Sequence, residues 1–123
     1  MHASRDSLPA ETMGDSYEGH FADWGEYMAY FESIKGGTDF SPLFVGLPDD
    51  KCQSPHWGYV FKGKLRFIYK DHEEIISAGE AYYAPPGHTT ECLEDAETVE
   101  FSPTAEFQAT MAVAAKNLEA QPG

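Results

Sequence analysis

From Tyr27 onward the chain breaks into short runs of aromatic and β-branched residues, each closed by glycine, proline or aspartate. "YMAYFESI" (27–34) stops at Gly36-Gly37, and "PLFVGL" (42–47) stops at Pro48 with Asp49 and Asp50. "HWGYVFKGKLRFIYKDHEEIIS" (56–77) reads as a strand, a tight Lys62-Gly63 turn, a second strand, an Asp71-His72 turn and a third strand. "EAYYA" (80–84), "TTECL" (89–93) and "TVEFS" (98–102) complete the set. Strands this short, spaced by turn signals, restrict the chain to an all-β sandwich or barrel. Only the end departs from the pattern. Ser102 and Pro103 read as the N-cap and first position of a helix, and Phe107, Met111, Ala114 and Leu118 then recur at helical spacing. That stripe predicts a helix packed on the barrel or on a partner subunit, as core rather than as a cofactor box.

A chain of 123 residues makes one domain with a single modest core. Hydrophobic residues at 41% and aromatics at 14% are too many for a disordered chain. With 21 acidic and 8 basic side chains the formal net charge is −13, which excludes a nucleic-acid backbone or an anionic membrane surface as partner. The start is not basic-then-apolar, and nowhere do eighteen apolar residues follow one another, so a cytoplasmic protein is expected. Cys52 and Cys92 are too few for a stapled secreted scaffold and read as free thiols or metal ligands, or as small buried apolar residues. Residues 1–20 form an unpatterned polar arm, mobile unless the body or a neighbouring chain ties it down. The expected division is this arm, a barrel over 21–103, and a helix and tail over 104–123.

Two spacings in the body resemble the cupin superfamily. Gly79, five residues and then Pro85-Pro86-Gly87 match the start of the second cupin motif, G-x5-P-x-G-x2-H-x3-N. His56, six residues and then Gly63 match the tail of the first, G-x5-H-x-H-x3,4-E-x6-G, and the resemblance runs over Tyr27 to Pro103. It implies a double-stranded β-helix, a small jelly-roll-like barrel, here with a C-terminal α-helix. In the family one metal ion sits inside, held by two His and a Glu from the first motif and a His from the second. This sequence departs from that set. His56 fills the Glu slot, Cys52 and Asp50 fall on the two His slots, Thr90 falls on the second-motif His slot and Glu94 on the Asn slot.

Side chains two apart on a strand share a face, so inward ligand slots turn Cys52, His56, His88 and Cys92 all into the barrel. Two thiols and two imidazoles match what zinc prefers, while iron, nickel or manganese remain open, as does a barrel without metal. His56 and His88 each have an ordinary reading too, as a buried histidine bonded to a carbonyl and as a residue at the barrel mouth. Whether Glu100, Glu91 or Asp50 completes a site is open. Glu100, inside an apolar strand, is directed to the interior or to a subunit interface, where burial would raise its pKa and suit it to proton transfer. Trp57, Tyr59 and Phe61 take the face opposite to His56, and Tyr82 and Tyr83 take opposite faces. The expected assembly is a homodimer through the outward aromatics and exchanged N-terminal strands. Two functions follow: a metal-dependent enzyme on a small polar or aromatic metabolite, with His56, His88 and Cys52 holding the ion, or a non-catalytic ligand-binding, sensor or structural cupin.

Overall fold

The computed structural model describes residues 1–120; residues 121–123 of the expected tail lie outside the described residues. Seven strands precede one helix: β1 (Ala10–Met13), β2 (Tyr17–Asp23), β3 (Tyr27–Ile34), β4 (His56–Ile68), β5 (Glu73–Ser77), β6 (Ala81–Ala84), β7 (Thr89–Pro103) and α1 (Thr104–Ala120). The strand order is β1-β2-β3-β7-β4-β5, all antiparallel, and β6 also pairs with β4. β6 meets the first half of β4 and β5 the second, while β7 follows β4 along its other edge. The two long strands therefore carry the chain around the barrel.

Four local expectations are corrected. Lys62-Gly63 is no turn: β4 runs through it, with register shifts against β7 between Val60 and Leu65. Gly63 takes φ 84°, and a Cβ there would come 2.8 Å from the Ala96 Cα. A bulge needs the same glycine a turn does, and continued pairing on both sides makes it a bulge. "TTECL" and "TVEFS" are likewise two halves of the continuous β7. "PLFVGL" is not a strand; Ser41–Phe44 is a short 3-10 helix whose first turn accepts Pro42 because that position needs no N–H. The helix start moves as well. β7 continues to Pro103, paired with Tyr27, and α1 begins at Thr104, so Ser102 is an interior strand residue rather than a cap.

The residues expected in a mobile arm are tied to the body. β1 and β2 extend the sheet beyond β3, Arg5 pairs with Glu18 at 2.7 Å and Glu97 at 3.2 Å, and His20 Nδ1 donates to the Leu8 carbonyl at 2.9 Å. The ion pairs are half-exposed and contribute little; the ladder hydrogen bonds hold the segment.

The core holds Ile34, Val60, Leu65, Phe67, Ile76, Tyr82, Ala84, Cys92 and Ala96. Complete burial of a side chain such as Leu65 or Phe67 stabilises the fold by roughly 1.5–3 kcal/mol. Strand alternation places Trp57, Tyr59 and Phe61 outside, where they are exposed, and turns Tyr82 in and Tyr83 out. α1 lays Phe107, Met111, Ala114 and Leu118 along a cavity of about 300 Å³ rather than into a filled core. The stripe foretold the helix, but it lines the cavity. Asn117 ties α1 down by donating to the carbonyls of Leu43 and Val45, both at 2.7 Å.

Candidate metal centre and its cavity

Cys52 and His88 face each other across an isolated antiparallel bridge, where the Cys52 N–H donates to the His88 carbonyl at 2.8 Å. His56 opens β4 four residues later. The three side chains converge, with one donor atom from each lying within 4.8 Å of the others. His56 Nε2 stands 3.6 Å from Cys52 Sγ, and the two imidazole centroids are 5.0 Å apart.

Both imidazoles are held so that Nε2 carries the lone pair. His88 Nδ1 is 2.8 Å from the Pro85 carbonyl, which can only accept, so the proton is on Nδ1. His88 Nε2 then points into a buried space with no hydrogen-bond partner, in a residue that is 1% exposed. A buried nitrogen acceptor without a partner is costly and calls for a ligand. His56 Nδ1 bonds Ser102 Oγ at 2.7 Å, with Tyr30 OH at 3.1 Å and Glu100 Oε1 at 3.7 Å behind it. The carboxylate favours the proton on Nδ1, leaving Nε2 to face Cys52. Outer partners of this kind fix the ring orientation of metal-bound histidines.

Burial, with the neighbouring His56 adding to it, lowers the pKa of His88 to about 4, so the ring is neutral at pH 7. Burial also pushes the Cys52 thiol up to about 12. A thiolate forms there only with a cation beside it, and a divalent ion deprotonates a coordinating thiol.

The cavity borders this group through Cys52 and His56. Two carboxylates enter it, each bonded to a tyrosine: Tyr17 donates to Glu32, and Tyr82 donates to Glu100. Burial, and then the nearby Glu100, raise Glu32 to about 8. Tyr82 reaches Glu100 because its ring lies over Gly58, its register partner on β4; a Cβ at Gly58 would run into that ring and come 2.8 Å from the Val99 carbonyl oxygen.

Neither a family model nor a curated protein matches this sequence. Solved structures do. An RmlC-like cupin from Shewanella frigidimarina superposes with a TM-score of 0.61 at 14% identity, over 82% of this chain and 87% of that one. KdgF from Halomonas sp. gives 0.58 at 21% identity, over 81% and 92%. A variant of oxalate decarboxylase from Bacillus subtilis gives 0.62 at 14% identity, over 82% of this chain and 28% of that one. The fold is that of the cupins.

In this cupin barrel the four candidate ligands separate. Cys52, His56 and His88 meet; Cys92 does not join them. Its Sγ lies 3.6 Å from the Ile34 carbonyl and 3.0 Å from that of Glu94, in the core, because β7 carries it four residues past His88 to pair with Leu65. Both thiols are free. Asp50 is exposed and accepts from the Gly46 N–H, while Glu91 is paired with Arg66 at 2.9 Å. Of the carboxylates left open, Glu100 alone lies inside, beside His56. The sequence reading missed Ser102, Tyr30, Glu32 and Tyr17. Alternation from Glu100 marks Ser102, and alternation along β3 puts Tyr30 and Glu32 on the face of the buried Ile34; the apparent helix cap at Ser102-Pro103 obscured the first.

Proposed function

We propose that this cupin is a metal-dependent enzyme acting on a small metabolite, with Cys52, His56 and His88 holding one divalent ion and zinc first among the ions that suit them. The observation that carries this reading is the convergence of Cys52, His56 and His88, one ligand atom from each within 4.8 Å of the others, together with the partnerless, buried Nε2 of His88. One thiolate and two imidazoles fit zinc and leave a fourth position open, the pattern of catalytic rather than structural sites. An ion there supplies Lewis acidity to a bound oxygen or water.

The chain's own residues supply the rest. Ser102 and Pro85 hold the two rings, Glu100 faces the cavity beside His56 as the group to exchange a proton with the bound molecule, and α1 with Leu43 and Phe44 excludes water. KdgF and oxalate decarboxylase, whose folds superpose on this one, support a metabolite-sized ligand but not a particular reaction. The exposed outer face of Trp57, Tyr59, Phe61, Tyr83 and Phe101 supports a homodimer.

The cavity under α1 also favours a second reading, a barrel that binds and releases without turnover. Elemental analysis of untagged protein decides the first step. Near-stoichiometric metal that is lost in the His56→Ala, His88→Ala double variant supports the enzyme reading, and absence of metal after incubation with each ion overturns it.

A further inference from the structure

The cavity beside the metal group has a chemical asymmetry. None of the chain's eight lysines and arginines lines it, whereas Glu32 and Glu100 do, with the exposed Glu11 also on its wall. Neither inner carboxylate has a lysine or arginine partner. Glu32 accepts from Tyr17, and Glu100 accepts from Tyr82. Glu100 is 7% exposed, yet its Oε1 stands 3.7 Å from the nearest histidine nitrogen, beyond hydrogen-bond distance, on the cavity wall. The rest of the wall is mainly apolar, with Phe21, Phe40, Phe67 and Phe107 among its rings, and its other polar groups, such as Ser54, Thr90 and His56, include no lysine or arginine. A buried carboxylate with hydroxyl donors but no lysine or arginine beside it is costly to keep charged, and a ligand that brings positive charge lowers that cost. Above the Glu32 pKa of about 8, an anionic ligand meets two carboxylates and no lysine or arginine.

We propose that the cavity selects small amines: a protonated amino group lies against Glu32 and Glu100, and an aromatic or aliphatic body packs among Phe21, Phe40 and Phe107. The proposal rests on the reading of this barrel as a ligand site and names the ligand class. Aromatic faces around the carboxylates add attraction for a cation. Burial, and then repulsion from Glu100, raise Glu32, and a ligand amine offsets both. The preference belongs to the glutamates rather than to the ion, so it survives where the metal reading fails.

The test uses three matched probes, phenethylamine, phenethyl alcohol and phenylpropionate, titrated calorimetrically at pH 9, above the Glu32 pKa of about 8, into the native protein and into Glu32→Gln, with the metal content of each measured. The expected result is amine binding about tenfold or more tighter than either other probe, as one charge-assisted hydrogen bond implies. Glu32→Gln loses most of that preference and keeps its metal. The native series needs no variant to fold. Binding of the acid or alcohol as tight as that of the amine, no binding of the amine, or a preference unchanged in Glu32→Gln overturns the proposal. Titrations before and after chelation separate binding of the acid or alcohol at an ion from selection by the glutamates, and failure of the metal reading shows separately, in the elemental analysis.

Discussion

Tyr82 lies across Gly58, its ring where any other residue would carry a Cβ, and gives its hydroxyl to Glu100. The missing side chain on β4 and the hydroxyl on β6 together set where the inner carboxylate sits. Gly58→Ala therefore displaces Tyr82 and destabilises the fold by about 1–3 kcal/mol, the usual cost of overpacking. Tyr82→Phe keeps the ring and removes the bond to Glu100, costing roughly 1.5–3 kcal/mol. Urea denaturation of both variants checks this; a Gly58→Ala midpoint equal to native would show that the ring has room elsewhere.

Acid should destabilise the metal-free protein through His88. An unfolded histidine titrates near its ordinary value of 6.5, whereas burial holds His88 at about 4 in the folded chain. Between those values the unfolded state binds more protons, so stability falls as the pH drops through the window, by roughly 3 kcal/mol at most from this residue. Denaturation of native and His88→Gln protein at pH 7 and pH 4.5 isolates the contribution. The native protein should lose more on acidification; parallel losses would show that His88 is not held neutral.

Glu32 has the opposite sign. Its folded pKa is raised from 4.5 to about 8, so the folded state keeps a proton that the unfolded state releases. Stability from this group is full below 4.5 and is lost as the pH rises through about 8. Glu32→Gln should melt at a higher temperature than native, with a gap that widens from pH 5 to pH 8. A gap that stays flat across that range would mean Glu32 ionises freely.

Chelation should lower the melting temperature, and zinc should restore it, because an ion bound only by the folded state stabilises in proportion to the logarithm of its excess over Kd. Cys52→Ser should weaken the restoration, and Cys92→Ser should not, since the Cys92 thiol is engaged with the Ile34 and Glu94 carbonyls away from the group. Loss of zinc rescue in Cys92→Ser would place the fourth ligand on β7.

The outer aromatics set the expected assembly. Trp57 stacks on Tyr83 at 5.1 Å, and Phe61 is 56% exposed. Phe61→Glu with Tyr83→Glu should convert a dimer to a monomer in sedimentation while leaving the melting curve of the barrel cooperative. A native monomer would remove the dimer.

Local chemistry in the sequence determined the class of fold and most of the inward set: runs of strand-forming residues between Gly, Pro and Asp, the Pro85-Pro86-Gly87 corner, and a period of two that turned Cys52, His56 and Glu100 inward while leaving Trp57 out. No helix among the described residues is long and apolar enough to cross a membrane. Only the tertiary structure decided which of those residues meet. Gly63 carries the same local signal whether it makes a turn or a bulge, and only pairing of β4 with β7 on both sides chose the bulge. The pairing of Cys92 with Leu65 and of His88 with Cys52 sets the two apart along the strand, although both lie on the same expected face. Ser102 looked like a cap because serine before proline is one, until the pairing of Met28 with Ser102 carried β7 past it and delivered its hydroxyl to His56. Period and turn chemistry are short-range, and they specify which way a side chain points. The distance between side chains on different strands depends on register and bend, which are properties of the closed barrel.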